Sequence, residues 1–118
     1  MDVRHKETTL VQIGNRSGDR TGTINIPVYF STAYRHPGIG ESTGYDYART
    51  GNPTREVLEK AMAELENGDR GFACSSGMAA IQTVLSIFEQ GDEIIASRDL
   101  YGGTYRLFEG GWSRWGLT

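Results

Sequence analysis

The sequence predicts an α/β fold: an irregular amino-terminal arm followed by the first strands and helices of a parallel sheet. Three observations carry this. Residues 1–52 show neither a 3.6-residue nor a 2-residue apolar period. From residue 53 onward, two segments of helical period alternate with two short apolar runs, which in that order imply parallel crossovers. Two strands cannot make a parallel sheet covered on both faces, so residues 53–118 read as the opening of a larger domain.

In the arm, 1–52, turn chemistry recurs at Gly14-Asn15, Ser17-Gly18-Asp19, Pro37-Gly38 and Gly40. The apolar run Ile24 to Phe30 has Pro27 at its centre, which limits it to an edge strand or a loop. With so little to bury, the arm is expected to pack on something other than itself.

The pattern then changes. Asn52 can cap a helix and Pro53 suits its first position, while Val57, Leu58, Ala61, Met62 and Leu65 form one apolar face. Arg55/Glu59 and Glu56/Lys60 are i, i+4 pairs on the other side, and Asn67-Gly68 supplies the stop, so a helix is predicted over about 53–67. Residues 71–75 (GFACS) read as a buried strand that makes Cys74 a core thiol. A second helix follows, with Met78, Ile81, Val84, Leu85 and Phe88 on one face and Gly91 at its close. Residues 93–97 (EIIAS) read as a second strand. After them come the loop 99–103 (DLYGG) and a weaker helix from about Thr104, interrupted at Gly110-Gly111. Trp112 and Trp115 have no evident core partner.

Composition narrows the function classes. Twelve basic against fifteen acidic residues give a net charge of −3 with no basic stripe, which argues against a nucleic-acid partner. A single cysteine excludes an internal disulfide and leaves no metal-ligand spacing, so a reducing, cytoplasmic compartment and no metal are expected. The start, MDVRHKETTL, has no apolar core of a signal peptide, and the longest apolar stretch is broken by Gln82, Thr83 and Ser86, so no membrane span is expected. Glycine numbers 16, roughly twice average usage, so many backbone positions need close approach or a positive φ. Lysine occurs only at Lys6 and Lys60, leaving few amines for an imine.

Three stretches carry chemistry. Ser75-Ser76-Gly77-Met78 lies where a strand gives way to a helix, where free N–H groups and the positive helix end suit a phosphate. A plain capped turn has the same residues. Tyr47 and Arg49, at i and i+2 of an extended segment, project to one side and could grip a phosphate together, or be a packed tyrosine beside a solvated arginine. Tyr101-Gly102-Gly103 follows the second strand, where open α/β sheets place ligands, so the Tyr101 ring could lie against a planar cofactor or be incidental to a glycine loop.

Together, YDYARTGNPT, CSSGMAAIQ and DLYGGTYRLF resemble the Cys/Met metabolism family of pyridoxal-phosphate (PLP) enzymes, in the cystathionine gamma-synthase-like branch of fold-type I transferases. The arm from Gln12 to Thr43 is most similar to the bacterial cystathionine gamma-synthase / O-acetylhomoserine thiolyase type. The resemblance implies that Gly77 and Met78 hold the PLP phosphate through backbone N–H groups. It implies that Tyr47 and Arg49 reach a neighbouring subunit's phosphate and that Tyr101 stacks on the cofactor ring and assists proton transfer. It also implies that Asp46 and Arg106 line the substrate pocket and that the working unit is a homotetramer, a dimer of dimers with shared sites. The implied reaction is gamma-replacement on an O-acylated homoserine with cysteine or sulfide. Beta- or gamma-lyase activity, or a non-catalytic phosphate-binding or assembly role, are the alternatives. The family's PLP lysine, its ring-pairing aspartate and its carboxylate-binding arginine are expected later in a longer chain, so the sequence reads as an amino-terminal fragment.

Overall fold

The computed structural model describes residues 5–12 and 21–118; the turns expected at Gly14-Asn15 and Ser17-Asp19 lie outside them. The chain forms two compact units, Met1–Ala73 and Cys74–Thr118. The pattern change at Asn52 marks the start of the helix Pro53–Glu66; the boundary between compact units comes later.

In the first unit, α1 (Lys6–Gln12) packs on α2 (Pro53–Glu66). No helix was expected in the arm. Seven residues are too few for a helix to persist alone, and docking supplies what periodicity does not show: Thr9 is buried and donates to Glu64 Oε1 at 3.4 Å. The arm also meets the start of α2, with Tyr29 N–H donating to Thr54 Oγ1 at 2.8 Å and Asn52 Nδ2 donating to the Tyr29 carbonyl at 3.0 Å. The arm therefore packs on its own unit, although Ile24, Val28, Phe30 and Ile39 stay exposed. Pro37–Gly40 turns as expected, closed by Glu41 N–H to the Gly38 carbonyl at 3.2 Å.

Helix α2 has the expected bounds and caps. Asn52 Oδ1 accepts from the Thr54 and Arg55 N–H groups at 2.9 and 3.2 Å, and Asn67 stops the helix in the left-handed region at φ 55°. Gly71 runs so close beneath α2 that a Cβ there would overlap the Glu59 carbonyl.

In the second unit, α3 (Gly77–Leu85) ends one turn earlier than the apolar spacing predicts. Ile87 and Phe88 N–H groups turn back to the Val84 and Leu85 carbonyls, tightening the exit and leaving Phe88 outside the helix. Helix α4 (Gly102–Gly110) starts two residues before Thr104, and a 3-10 turn, Trp112–Trp115, follows. Trp112 and Trp115 pack on one another, ring centroids 5.6 Å apart.

Neither 71–75 nor 93–97 forms a strand ladder among the described residues, which corrects that expectation. Cys74 is exposed rather than a core thiol, because no neighbouring strand covers its segment. The second run nonetheless begins the pairing its position implies. Thr118 N–H donates to the Asp92 carbonyl at 3.1 Å and Ile94 N–H to the Thr118 carbonyl at 2.7 Å. These bonds straddle Glu93 in the slanted pattern of parallel strands. With α4 between the paired segments, this is the start of a β-α-β crossover. Ala33 and Tyr47 form the one isolated antiparallel bridge among the described residues.

Candidate functional site

The end of α3 that faces its preceding loop is an open anion cradle. Ser76 Oγ accepts from Ala79 N–H at 3.1 Å and the Ser76 carbonyl from Ala80 N–H at 3.0 Å. The Gly77 and Met78 N–H groups, by contrast, have no acceptor among the described residues. A Cβ at Gly77 would meet nothing within 4 Å, so an anion can approach both donors at the positive helix end.

Beside Met78 stands the start of α4. The Tyr101 ring lies across Gly103, where a Cβ would come within 2.5 Å of the ring and 3.3 Å of Met78 Sδ. Thr104, buried, directs its hydroxyl at Met78 Sδ at 3.6 Å. The second unit thus brings Gly77, Met78 and Tyr101 together, with Tyr101 as a residue 72% exposed and open to a planar ligand. Arg106, one turn further along α4, is exposed and makes no ion pair among the described residues. The positioning parts of this cluster that motif reading missed are Gly103 and Thr104. Their signal was the second glycine, which is superfluous for a simple turn.

Asp46, Tyr47 and Arg49 belong to the first unit, on one turn. Residues 48–50 form that turn rather than an extended segment, closed by Thr50 and Gly51 N–H groups to the Tyr47 carbonyl at 3.0 Å. The turn still places the two side chains together, with the Arg49 guanidinium 4.4 Å from the centre of the Tyr47 ring. Neither the Tyr47 hydroxyl nor any Arg49 N–H has an acceptor among the described residues, so both remain available to an anion. Asp46 is paired instead, its Oδ1 2.8 Å from His36 Nε2, while His36 Nδ1 lies 2.7 Å from the Glu41 carbonyl. Tyr45 donates to Glu56, which also holds Lys60 at 2.7 Å. The Lys60 and Tyr45 hydrogen bonds lower the Glu56 pKa, and the bond to Glu56, with burial, pushes the Tyr45 phenol up to about 12.

Of the two lysines, both in the first unit, Lys6 is exposed on α1 and Lys60 is tied to Glu56 on the solvent side of α2. No group of metal-ligating side chains occurs among the described residues, and none of the described helices is long and apolar enough to cross a membrane. An open groove of about 380 Å³ separates residues 94–100 from α4, lined by Phe108 and Trp112 among others. Gly77, Met78 and Tyr101 do not border it.

Comparison with known proteins gives the same direction. Residues 7–118 match the family model described as Cys/Met metabolism PLP-dependent enzyme. The chain is 66% identical over 115 residues to the cystathionine gamma-synthase/O-acetylhomoserine (thiol)-lyase of Bacillus subtilis, covering 98% of this chain and 31% of that protein. It is 63% identical over 103 residues to the cystathionine gamma-synthase of Haemophilus influenzae, covering 87% of this chain and 28% of that protein. The solved structure of Lactobacillus plantarum cystathionine gamma-lyase, complexed with L-serine, superposes with a TM-score of 0.85 at 45% identity, over 98% of this chain and 30% of that one. The chain therefore spans about 30% of the length of the proteins it matches. PLP fits the residues present: the two open N–H donors at Gly77 and Met78 suit its phosphate, and the exposed Tyr101 ring beside them suits its planar ring. From a family match across nearly the whole length, and a cradle that accepts the family's cofactor, it follows that the chain belongs to the Cys/Met metabolism family of PLP-dependent enzymes.

Proposed function

We propose that the protein to which this chain contributes performs PLP-dependent gamma-replacement on an O-acylated homoserine, using cysteine or sulfide and giving cystathionine or homocysteine. The observation that carries the PLP part is the convergence of the Tyr101 ring and Met78 on Gly103, beside two uncommitted N–H donors. The choice of replacement over elimination is supported by the identities to curated relatives, 66% and 63% to the two synthases against 45% to the cystathionine gamma-lyase of Bacillus subtilis. When bound, PLP supplies an electron sink for bond changes at the substrate carbons. The chain's residues do the rest: Gly77 and Met78 N–H groups hold the phosphate, and Tyr101 orients the ring and stands ready to move a proton at its phenol oxygen. Tyr47 and Arg49 complete the phosphate site of a second subunit, and Asp46 and Arg106 line the substrate pocket. The assembly is a cytoplasmic homotetramer built from dimers.

A hybrid in which this chain replaces the matched first 31% of the Bacillus subtilis relative provides the test. It should form cystathionine from O-acetylhomoserine and cysteine. Cleavage of cystathionine without any synthesis would overturn the assigned reaction. For the shared site, hybrids carrying Arg49→Ala should regain activity when mixed with subunits lacking only their own PLP lysine, and no regain would place each site within one chain.

A further inference from the structure

We infer that Arg55 is the positioning residue for the Tyr47–Arg49 grip, a role that rests on the reading of that pair as a phosphate clamp. Two arginines six residues apart have opposite fates here. Among the described residues nothing accepts from the Arg49 N–H donors, and its guanidinium lies over the Tyr47 ring at 4.4 Å. Arg55, in the first turn of α2, commits three groups: Nη1 donates to the Ala48 carbonyl at 3.1 Å, Nη2 to the Thr50 carbonyl at 3.1 Å and Nε to Glu59 Oε1 at 3.2 Å.

The two carbonyls flank Arg49 on either side. A planar guanidinium that holds both at once fixes the 48–49 peptide group, on which Arg49 is mounted, relative to the 50–51 peptide group, and so fixes the turn that carries Arg49. Glu59 in turn holds the Arg55 fork. Its Oε1 also accepts from Ala73 N–H at 3.1 Å, so it is anchored to α2 and to the chain beneath it at once. The Arg55 charge, already facing a carboxylate and two carbonyl dipoles, is not offered to an anion. Its function is geometric: it presents Arg49 and the Tyr47 hydroxyl to the phosphate already oriented, which reduces the ordering entropy that binding would otherwise have to overcome.

A lysine cannot substitute, because an ammonium is a point donor and does not bridge two carbonyls and a carboxylate in one plane. Glutamine at position 59 can substitute for glutamate, since its amide oxygen accepts from the same two donors.

The test uses the full-length hybrid, freed of cofactor, with affinities for PLP and for pyridoxal, which lacks the phosphate. Arg55→Ala and Arg55→Lys should each weaken PLP binding about tenfold, the order expected when one charge-assisted hydrogen bond to the phosphate no longer forms. Pyridoxal binding should change by about twofold or less, within the scatter of independent sites. In an Arg49→Ala background the same Arg55 substitutions should weaken binding by only a further twofold or less, about the scatter of uncoupled sites, because the group they position is gone. Glu59→Gln should keep PLP affinity. Equal weakening of PLP and pyridoxal, or an undiminished effect in the Arg49→Ala background, would show a merely structural role and overturn the proposal. Should Arg55→Ala fail to fold, Arg55→Lys decides by the same criteria, and unchanged PLP affinity in that folded variant overturns it as well. An unsubstituted hybrid that binds no PLP would instead overturn the functional reading itself, and the grip with it.

Discussion

At the scale of single residues, Gly103 shows why a glycine can be a site residue without touching a ligand. The Tyr101 ring occupies the space a side chain would take, so Gly103→Ala must push the ring off its place beside Met78. In the hybrid, kcat should fall by about 10- to 100-fold, the usual consequence of displacing a reacting group by an ångström, while PLP affinity changes far less because Gly77 and Met78 are untouched. Rate and cofactor titrations separate the two. Tyr45 and Glu56 give a pH prediction of defined sign. A phenol raised to about 12 contributes stability that is complete below its ordinary value near 10 and is lost as pH rises through about 12. Glu56, held low first by Lys60 and then by Tyr45, contributes stability that is present above the ordinary carboxylate range and is lost on acidification. Tyr45→Phe should therefore cost about 1 kcal/mol near neutral pH, with the difference from the parent shrinking at both extremes, as urea midpoints across pH would show.

At the scale of elements, Asn52 joins two tasks that can be separated. Its Oδ1 caps α2, while its Nδ2 ties the helix start to the Tyr29 carbonyl at 3.0 Å and the Tyr34 hydroxyl at 3.3 Å. Asn52→Asp keeps the cap but turns a carboxylate toward a carbonyl; Asn52→Ala loses both tasks. Helix content should survive the aspartate and drop with the alanine, which costs about 1 kcal/mol for the cap alone. Both should loosen the contact of the arm with α2, read as faster amide exchange at Tyr29, whose N–H is bonded to Thr54 Oγ1. The bounds of helix α2 were legible because their signals are local: Asn52, Pro53 and Asn67 act within the helix itself, whereas Leu58 and Met62 of the expected apolar face stay exposed. Helix α1 was not, since its one buried residue, Thr9, meets Glu64 some fifty-five positions away.

At the scale of the whole molecule, the buried apolar residues among those described are Ala61, Leu85 and Leu117, while Phe72, Val84, Ile87 and Ile95 are exposed. Folding free energy is a small difference between large burial and entropy terms, and so little burial leaves that difference without a source. The isolated 118-residue chain should show no cooperative thermal transition and no turnover of O-acetylhomoserine with cysteine, whereas the hybrid should melt cooperatively. A sharp calorimetric transition in the isolated chain would contradict this. Its two lysines, one exposed and one paired with Glu56, should give no stoichiometric cofactor–lysine absorbance in that chain.

The sequence by itself determined what is local or chemical in this protein. The bounds of α2, the capped turn at Ser76-Gly77 and the α/β class follow from spacing along the chain, as did the family from three dense motifs, whereas Tyr47 and Arg49 meet through a turn and not through the extended segment their spacing suggested. Only the tertiary structure decided that Arg55 is bound to the carbonyls of Ala48 and Thr50 while Arg49 has no acceptor among the described residues, since in sequence Arg49 reads as part of an extended segment and Arg55 as the helical partner of Glu59. It also decided that Tyr101 lies across Gly103, and that the apolar runs 71–75 and 93–97 remain without a ladder. Hydrophobic pattern states what a segment is able to bury; whether a strand or a thiol such as Cys74 is buried depends on which other segments arrive to cover it, and that is a property of contacts distant in the chain.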